Sequence, residues 1–142
     1  KEFYADSQID NLASCHAGLQ ALLDEHVLQQ AESTLVCAFF EHEEIGSESH
    51  IGAGGSFLAD ILQRISISLS LDREDTARAL AQSFLISSDM AHGYHPNFPS
   101  AKLGVRSVDV GCPMWAMHSI RESAGVQDHE YLIKVLKRFF VD

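Results

Sequence analysis

The run Thr34-Leu35-Val36-Cys37-Ala38-Phe39-Phe40 constrains this chain most, because it is continuously apolar, rich in strand formers and abruptly ended. A strand covered on both faces reads this way, so the run is expected to be a central parallel strand. Polarity then reverses to Glu41-His42-Glu43-Glu44-Ile45-Gly46-Ser47-Glu48-Ser49-His50, an acidic loop leaving a buried strand. Helical and strand patterns alternate around it. Leu12, Cys15, Leu19, Leu22, Leu23 and Val27 recur at three- and four-residue steps and predict a helix over residues 10–30, with Asp10 and Asn11 placed as its N-cap. Phe57, Leu58, Ile61, Leu62, Ile65 and Leu69 predict a second helix, and Asp72 caps a third that runs to Ser83. Phe84–Ser87 and Val105–Val110 predict short strands, and Tyr131, Leu132, Val135, Leu136 and Phe139 a closing helix. This order predicts an α/β fold: a mostly parallel sheet with helices on both faces, whose ligands bind beyond the carboxyl ends of the strands.

At 142 residues the chain has the length of about one domain, and 46% apolar residues suffice for a core without disulfide staples. A formal charge of −10 repels phosphate backbones, so nucleic acid is not an expected partner. No apolar run approaches a membrane span, and Lys1-Glu2-Phe3-Tyr4 lacks a secretory pattern; the expectation is a soluble, cytoplasmic protein. Cys15, Cys37 and Cys112 have no metal-ligand spacing and are expected to be reduced core residues.

The chemistry-bearing residues collect after predicted strands. His42-Glu43-Glu44 follows one, Asp89 another, and Met117-His118-Ser119 comes several residues beyond a third. Adjacent carboxylates on a loop can divide their work, one holding a metal and the other taking a proton from water beside it. Each residue also has a plainer reading: a solvated acidic turn for Glu43-Glu44, a helix cap for Asp10, a turn cap for Asp89, a core histidine for His118. Their coincidence on one side of an α/β sheet favours a site. Carboxylate and imidazole without thiolate suit catalytic zinc, manganese or cobalt. The sequence has no GxSxG elbow and no phosphate loop, and Gly46 stands where HExxH needs its second histidine. Gly52-Ala53-Gly54-Gly55 is read as a tight turn leading into a helix.

Four ordered segments resemble the aspartyl aminopeptidase family of dinuclear zinc exopeptidases. They are Ile9-Asp10-Asn11-Leu12; His42-Glu43-Glu44-Ile45-Gly46-Ser47; Ser88-Asp89-Met90-Ala91-His92 with His95-Pro96-Asn97; and Met117-His118-Ser119-Ile120-Arg121-Glu122. The resemblance implies a zinc-peptidase, phosphorylase/hydrolase-like architecture. It implies that Asp10 bridges two Zn2+ per subunit, that Glu44 and His118 hold one ion and Asp89 the other, and that Glu43 is the general base. His92 is placed near the site without a step. Mn2+ or Co2+ is an alternative metal, the substrates are peptides, and a dodecameric homo-oligomer is implied.

The implied activity is removal of an N-terminal residue, Asp or Glu, from peptides. A related amide hydrolase (deacylase or carboxypeptidase-like) and a non-catalytic assembly module on the same fold are the alternatives. The family's further metal-binding histidine lies upstream of an inserted domain, and nothing before Asp10 supplies it. His95-Pro96-Asn97-Phe98 runs almost directly into Pro99–Val105, where the family carries a longer stretch. The chain is therefore expected to be parts of one catalytic domain, joined near residues 98–99, with upstream segments absent.

Overall fold

The computed structural model describes residues 2–92 and 106–141. Its described residues form two compact units, one of residues 2–37, 85–92 and 107–141, the other of residues 38–84 with Arg106.

The first unit is built on β1 (Phe3–Asp6), β2 (Phe84–His92) and β3 (Arg106–Trp115), less their first residues, and β4 (Glu122–Gly125), in the sheet order β1-β4-β3-β2. β4 pairs antiparallel with β1, Phe3 opposite Gly125 and Asp6 opposite Glu122, and antiparallel with β3, Trp115 opposite Ser123. These pairings are antiparallel where the alternating pattern predicts a mostly parallel sheet. The reason lies in β1 and β4, four-residue strands too short to announce themselves by periodicity.

Three helices complete this unit: α1 (Ile9–Leu22), α2 (Glu25–Gln30) and α5 (Val126–Val141). The single helix predicted over 10–30 is two, because Asp24 ends one segment and caps the next, accepting from the N–H groups of His26 and Val27. α1 packs chiefly on α5, and not by the predicted stripe. Leu12 and Leu23 are 59% and 60% exposed, whereas Ala13, Ala17 and Ala21 are buried together with Ile9. These alanines recur every four residues and leave little between the two helix backbones, so α5 approaches closely and buries Leu132 and Leu136. Met90, Cys112, Met114 and Ala124 complete the core from the sheet. Cys112 is buried as expected, its thiol pushed up to about 11 first by burial and then by the charge of Asp128; Cys15 and Cys37 are half-buried, and all three are free.

The second unit holds a one-turn 3₁₀ helix (Glu43–Ile45), α3 (Phe57–Ser68) and α4 (Arg73–Gln82). Asp72 caps α4 as predicted, accepting from the Asp75 N–H at 2.8 Å. The predicted central strand Thr34–Phe40 is not a strand among the described residues: it is irregular, with Val36 42% and Phe39 49% exposed. A strand needs a neighbour to receive its N–H and C=O groups, and the described sheet has none there. The stripe of α3 is likewise incompletely covered, with no α3 residue fully buried.

The turn before α3 is as tight as the glycine cluster suggests. A Cβ on Gly52 would lie 2.3 Å from the Ser47 carbonyl oxygen, so only glycine lets the chain fold back there. Residues 93–105, which include the expected break near 98–99, lie outside the described residues. No described helix is long and apolar enough to cross a membrane.

Candidate metal centre

Asp10 is not the helix cap that its position suggests. Asp10 (φ −80°, ψ 111°) and Asn11 (φ −117°, ψ 26°) are non-helical, joined by a cis peptide bond, and the regular turns of α1 begin after them. This interruption frees Asp10 to aim away from the helix. Its Oδ2 lies 3.0 Å from His118 Nε2, and its side chain is 12% exposed.

His118 comes from the turn between β3 and β4. Ala116 and His118 both adopt left-handed backbone (φ 58° and 65°), and Ser119 N–H closes the turn on the Ala116 carbonyl. The imidazole stays 58% exposed on its solvent side while contacting Asp10.

Asp89 lies within β2, not after it. Its Oδ1 accepts from the Met90 N–H at 2.7 Å, and its backbone carbonyl accepts from buried Ser14 Oγ of α1 at 2.8 Å. Its carboxylate faces that of Asp10. Burial, then the charge and hydrogen bond of Asp89, push the Asp10 carboxyl up to about 6; Glu122 adds to this and His118 opposes it. Asp10 thus offers a carboxylate beside the His118 imidazole on one side and against the Asp89 carboxylate on the other, and a cation would relieve the repulsion between the two acids. Carboxylate and imidazole donors of this kind fit zinc and exclude none of its first-row neighbours.

One residue without a role in the sequence reading proves central. Glu122 is 2% exposed and accepts the backbone N–H of Asp10 on Oε2 (2.9 Å) and of His118 on Oε1 (2.7 Å). Its signal in the sequence is that it closes the motif segment Met117–Glu122, four residues after His118, where the resemblance assigns it no role.

Glu43 and Glu44 stand on the 3₁₀ turn of the second unit, both exposed. His42 and Gly46 flank that turn in left-handed backbone (φ 66° and 95°). His42 Nδ1 and Ser49 Oγ, 2.6 Å apart, and the Gly46 N–H to Glu43 carbonyl bond (2.9 Å) fix its shape. The first unit thus brings Asp10, Asp89 and His118 together, and the second presents Glu43 and Glu44 side by side. His92 is in β2, its side chain outside the described residues.

The family model of the aminopeptidase I zinc metalloproteases, M18, matches residues 1–102 and 100–140. The chain belongs to the M18 family. A "Probable M18 family aminopeptidase 2" of Clostridium novyi (strain NT) is 34% identical over 98% of this chain and 46% of its own length. Its counterpart in Ectopseudomonas mendocina (strain ymp) is 32% identical over 99% and 46%. The M18 chain described here therefore spans about half the length of the curated relatives it matches.

Among solved structures, the cryo-EM structure of the Ape4 and Nbr1 complex contains a chain similar at TM-score 0.83 and 27% identity, over 99% of this chain and 39% of that one. Chaetomium thermophilum mApe1 follows at 0.74 and 26%, over 98% and 44%. Yeast aminopeptidase 1 shares the fold at TM-score 0.79, 21% identical over 98% and 46%. The zinc of the family description agrees with the carboxylate and imidazole that Asp10 and His118 present side by side.

Proposed function

We propose that this M18 chain carries the catalytic centre of a dinuclear zinc aminopeptidase that removes an N-terminal Asp or Glu from peptides. One observation carries the reading: Asp10 and His118 in contact at 3.0 Å, with Asp89 against Asp10 and raising its proton affinity. In this reading Asp10 would serve both ions, His118 and Glu44 would hold one, and Asp89 the other. Bound there, zinc supplies Lewis acidity and lowers the pKa of site water to about 7.

The chain's own residues do the rest. Glu43, exposed beside Glu44 on the 3₁₀ turn, takes the water's proton and returns it to the leaving amine. Asp10 holds a proton up to about 6 only while no cation faces it, and gives that proton up when one does. His92 lies near the substrate. The acidic preference comes with the family resemblance, and Mn2+ or Co2+ would satisfy the same donors.

The same proposal extends to the whole protein. The family model's two-part match, at 1–102 and 100–140, supports a join near residues 98–99 between parts of one domain. It allows Thr34–Phe40 to be a strand of a larger, mostly parallel sheet. A "Structure of S. cerevesiae mApe1 dodecamer" matches at TM-score 0.78, and supports a large homo-oligomer; the proposed location is the cytoplasm. Light scattering of the intact protein tests the assembly.

Hydrolysis of peptides with N-terminal Asp, Glu, Leu and acetyl-Asp, after chelation and again after zinc is returned, tests the activity. Zinc-restored release of Asp or Glu with acetyl-Asp untouched is the expected result. Release of Leu instead would discard the acidic preference, and no cleavage with any metal would discard the enzyme.

A further inference from the structure

We propose that Glu122 is a positioning residue of the metal centre, its one carboxylate setting the distance between Asp10 and His118. The inference rests on the reading of those two residues as zinc ligands.

The topology places Glu122 for this. β4 lies between β1 and β3 in the sheet, and the chain leaving β1 reaches Asp10 just as the chain leaving β3 reaches His118. Glu122 is the first residue of β4, paired with Asp6 at the end of β1. Its backbone is therefore fixed by the ladder at the edge where both ligand segments leave the sheet.

Both segments carry an N–H that regular structure does not satisfy. Asp10 sits in the non-helical interruption of α1, and His118 in a left-handed turn. Each donates to a different oxygen of Glu122, at 2.9 and 2.7 Å. Bonds from backbone N–H to an ionised carboxylate are short and strong, and here one rigid group receives two of them from segments 108 residues apart in sequence. The side chains of Asp10 and His118 meet at 3.0 Å, and behind that contact one carboxylate receives the backbone N–H of both residues.

The chemistry requires a carboxylate of this length. Glutamine keeps the shape, but its amide nitrogen is a donor and would face one of the two N–H groups, losing one bond. Aspartate keeps both acceptors but is one methylene shorter and cannot span the pair. A nearly inaccessible carboxylate is otherwise unfavourable, since burying charge needs full hydrogen-bond compensation. An apolar side chain would fill the same space; only the two N–H groups explain an acid.

The test compares the intact wild-type protein with Glu122→Gln and Glu122→Asp. Three readings are taken: zinc affinity by chelator competition, far-UV circular dichroism of the metal-free form, and kcat and KM at limiting and saturating zinc. Both variants are expected to keep the wild-type spectrum and to bind zinc about 10–100-fold more weakly, the range for groups that orient metal ligands. At limiting zinc kcat falls; at saturating zinc it recovers, with KM unchanged throughout. A merely structural role would not be rescued by zinc. Wild-type zinc affinity in both variants would overturn the inference alone, and failure of both to fold metal-free would overturn it by making Glu122 a fold determinant. A wild-type protein that binds no zinc would overturn the metal-centre reading itself, and this inference with it.

Discussion

The two acidic groups of this chain are built in opposite ways. Asp10 and Asp89 are pinned from behind: the N–H of Asp10 donates to Glu122 of β4, and the carbonyl of Asp89, itself in β2, accepts from Ser14. Glu43 and Glu44 ride an exposed one-turn helix whose shape comes from its own residues, His42, Gly46 and Ser49. A carboxylate in the first setting is hydrogen-bonded through its own backbone and, in Asp10, burial and the neighbouring Asp89 raise the carboxyl to about 6. A carboxylate in the second keeps contact with water. Asp10 and Asp89 suit the first kind of site as ligands, Glu43 suits the second as a group that moves protons to and from water, and Glu44 is the proposed ligand that stands outside the pinned set.

The sharpest way to break that contrast is to neutralise the two glutamates separately. Glu43→Gln is expected to lower kcat by about 10²–10⁴-fold, the usual worth of a general acid–base group, with zinc content unchanged. Glu44→Gln is expected to lower zinc content instead. Metal analysis and steady-state rates on both variants check it, and equal metal loss would erase the division between them.

A smaller effect probes the exposed turn's local build. Gly52→Ala drives a Cβ to 2.3 Å from the Ser47 carbonyl oxygen, which something rigid must relieve. We expect about 1–3 kcal/mol of destabilisation, the usual cost of overpacking, read by chemical denaturation. An unchanged midpoint would mean the turn is not rigid.

Ser14→Ala probes the buried side. It removes the hydroxyl that donates to the Asp89 carbonyl, at an expected cost of about 1 kcal/mol in the same assay. The loss should appear in stability and in zinc affinity together, because α1 and β2 meet through that bond.

The smallest effect is one of pH, away from both acidic groups. His16 Nδ1 of α1 and His129 Nε2 of α5 are 3.0 Å apart, so one imidazole donates to the other and both cannot be protonated without breaking the bond. Burial, then the charge of His16, lower the His129 pKa from its ordinary 6.5. The folded state therefore binds fewer protons than the unfolded chain, and stability is full above the unfolded value and declines as pH falls through it. Denaturation midpoints at pH 7.5 and 5.5 should differ less in His129→Gln than in the wild type; an equal difference would remove His129 from the account.

What was legible in the sequence was whatever depends on near neighbours. The helices α3, α4 and α5 follow their three- and four-residue periods, Asp72 caps α4, and the Gly52 turn follows from a glycine cluster. The four motif segments point to the M18 family in the right order, because chemistry is carried by residue type and spacing. Misreadings began where the answer depended on what lies opposite. The large apolar residues of α1 announce a core face, yet the buried face is Ala13, Ala17 and Ala21, since close approach to α5 favours small side chains over large ones. Thr34–Phe40 has every local mark of a strand but no described partner to pair with.

By itself, then, the sequence determined the family, the helices α3, α4 and α5 and which residue types stand ready for a metal. The tertiary structure alone decided that Asp10 leaves the helix, that Asp89 and His118 meet it, and that Glu122 braces two of the three. These are contacts between segments far apart in the chain. Hydrogen-bond geometry and burial exist only once the strands have paired, and periodicity along a sequence carries no record of them.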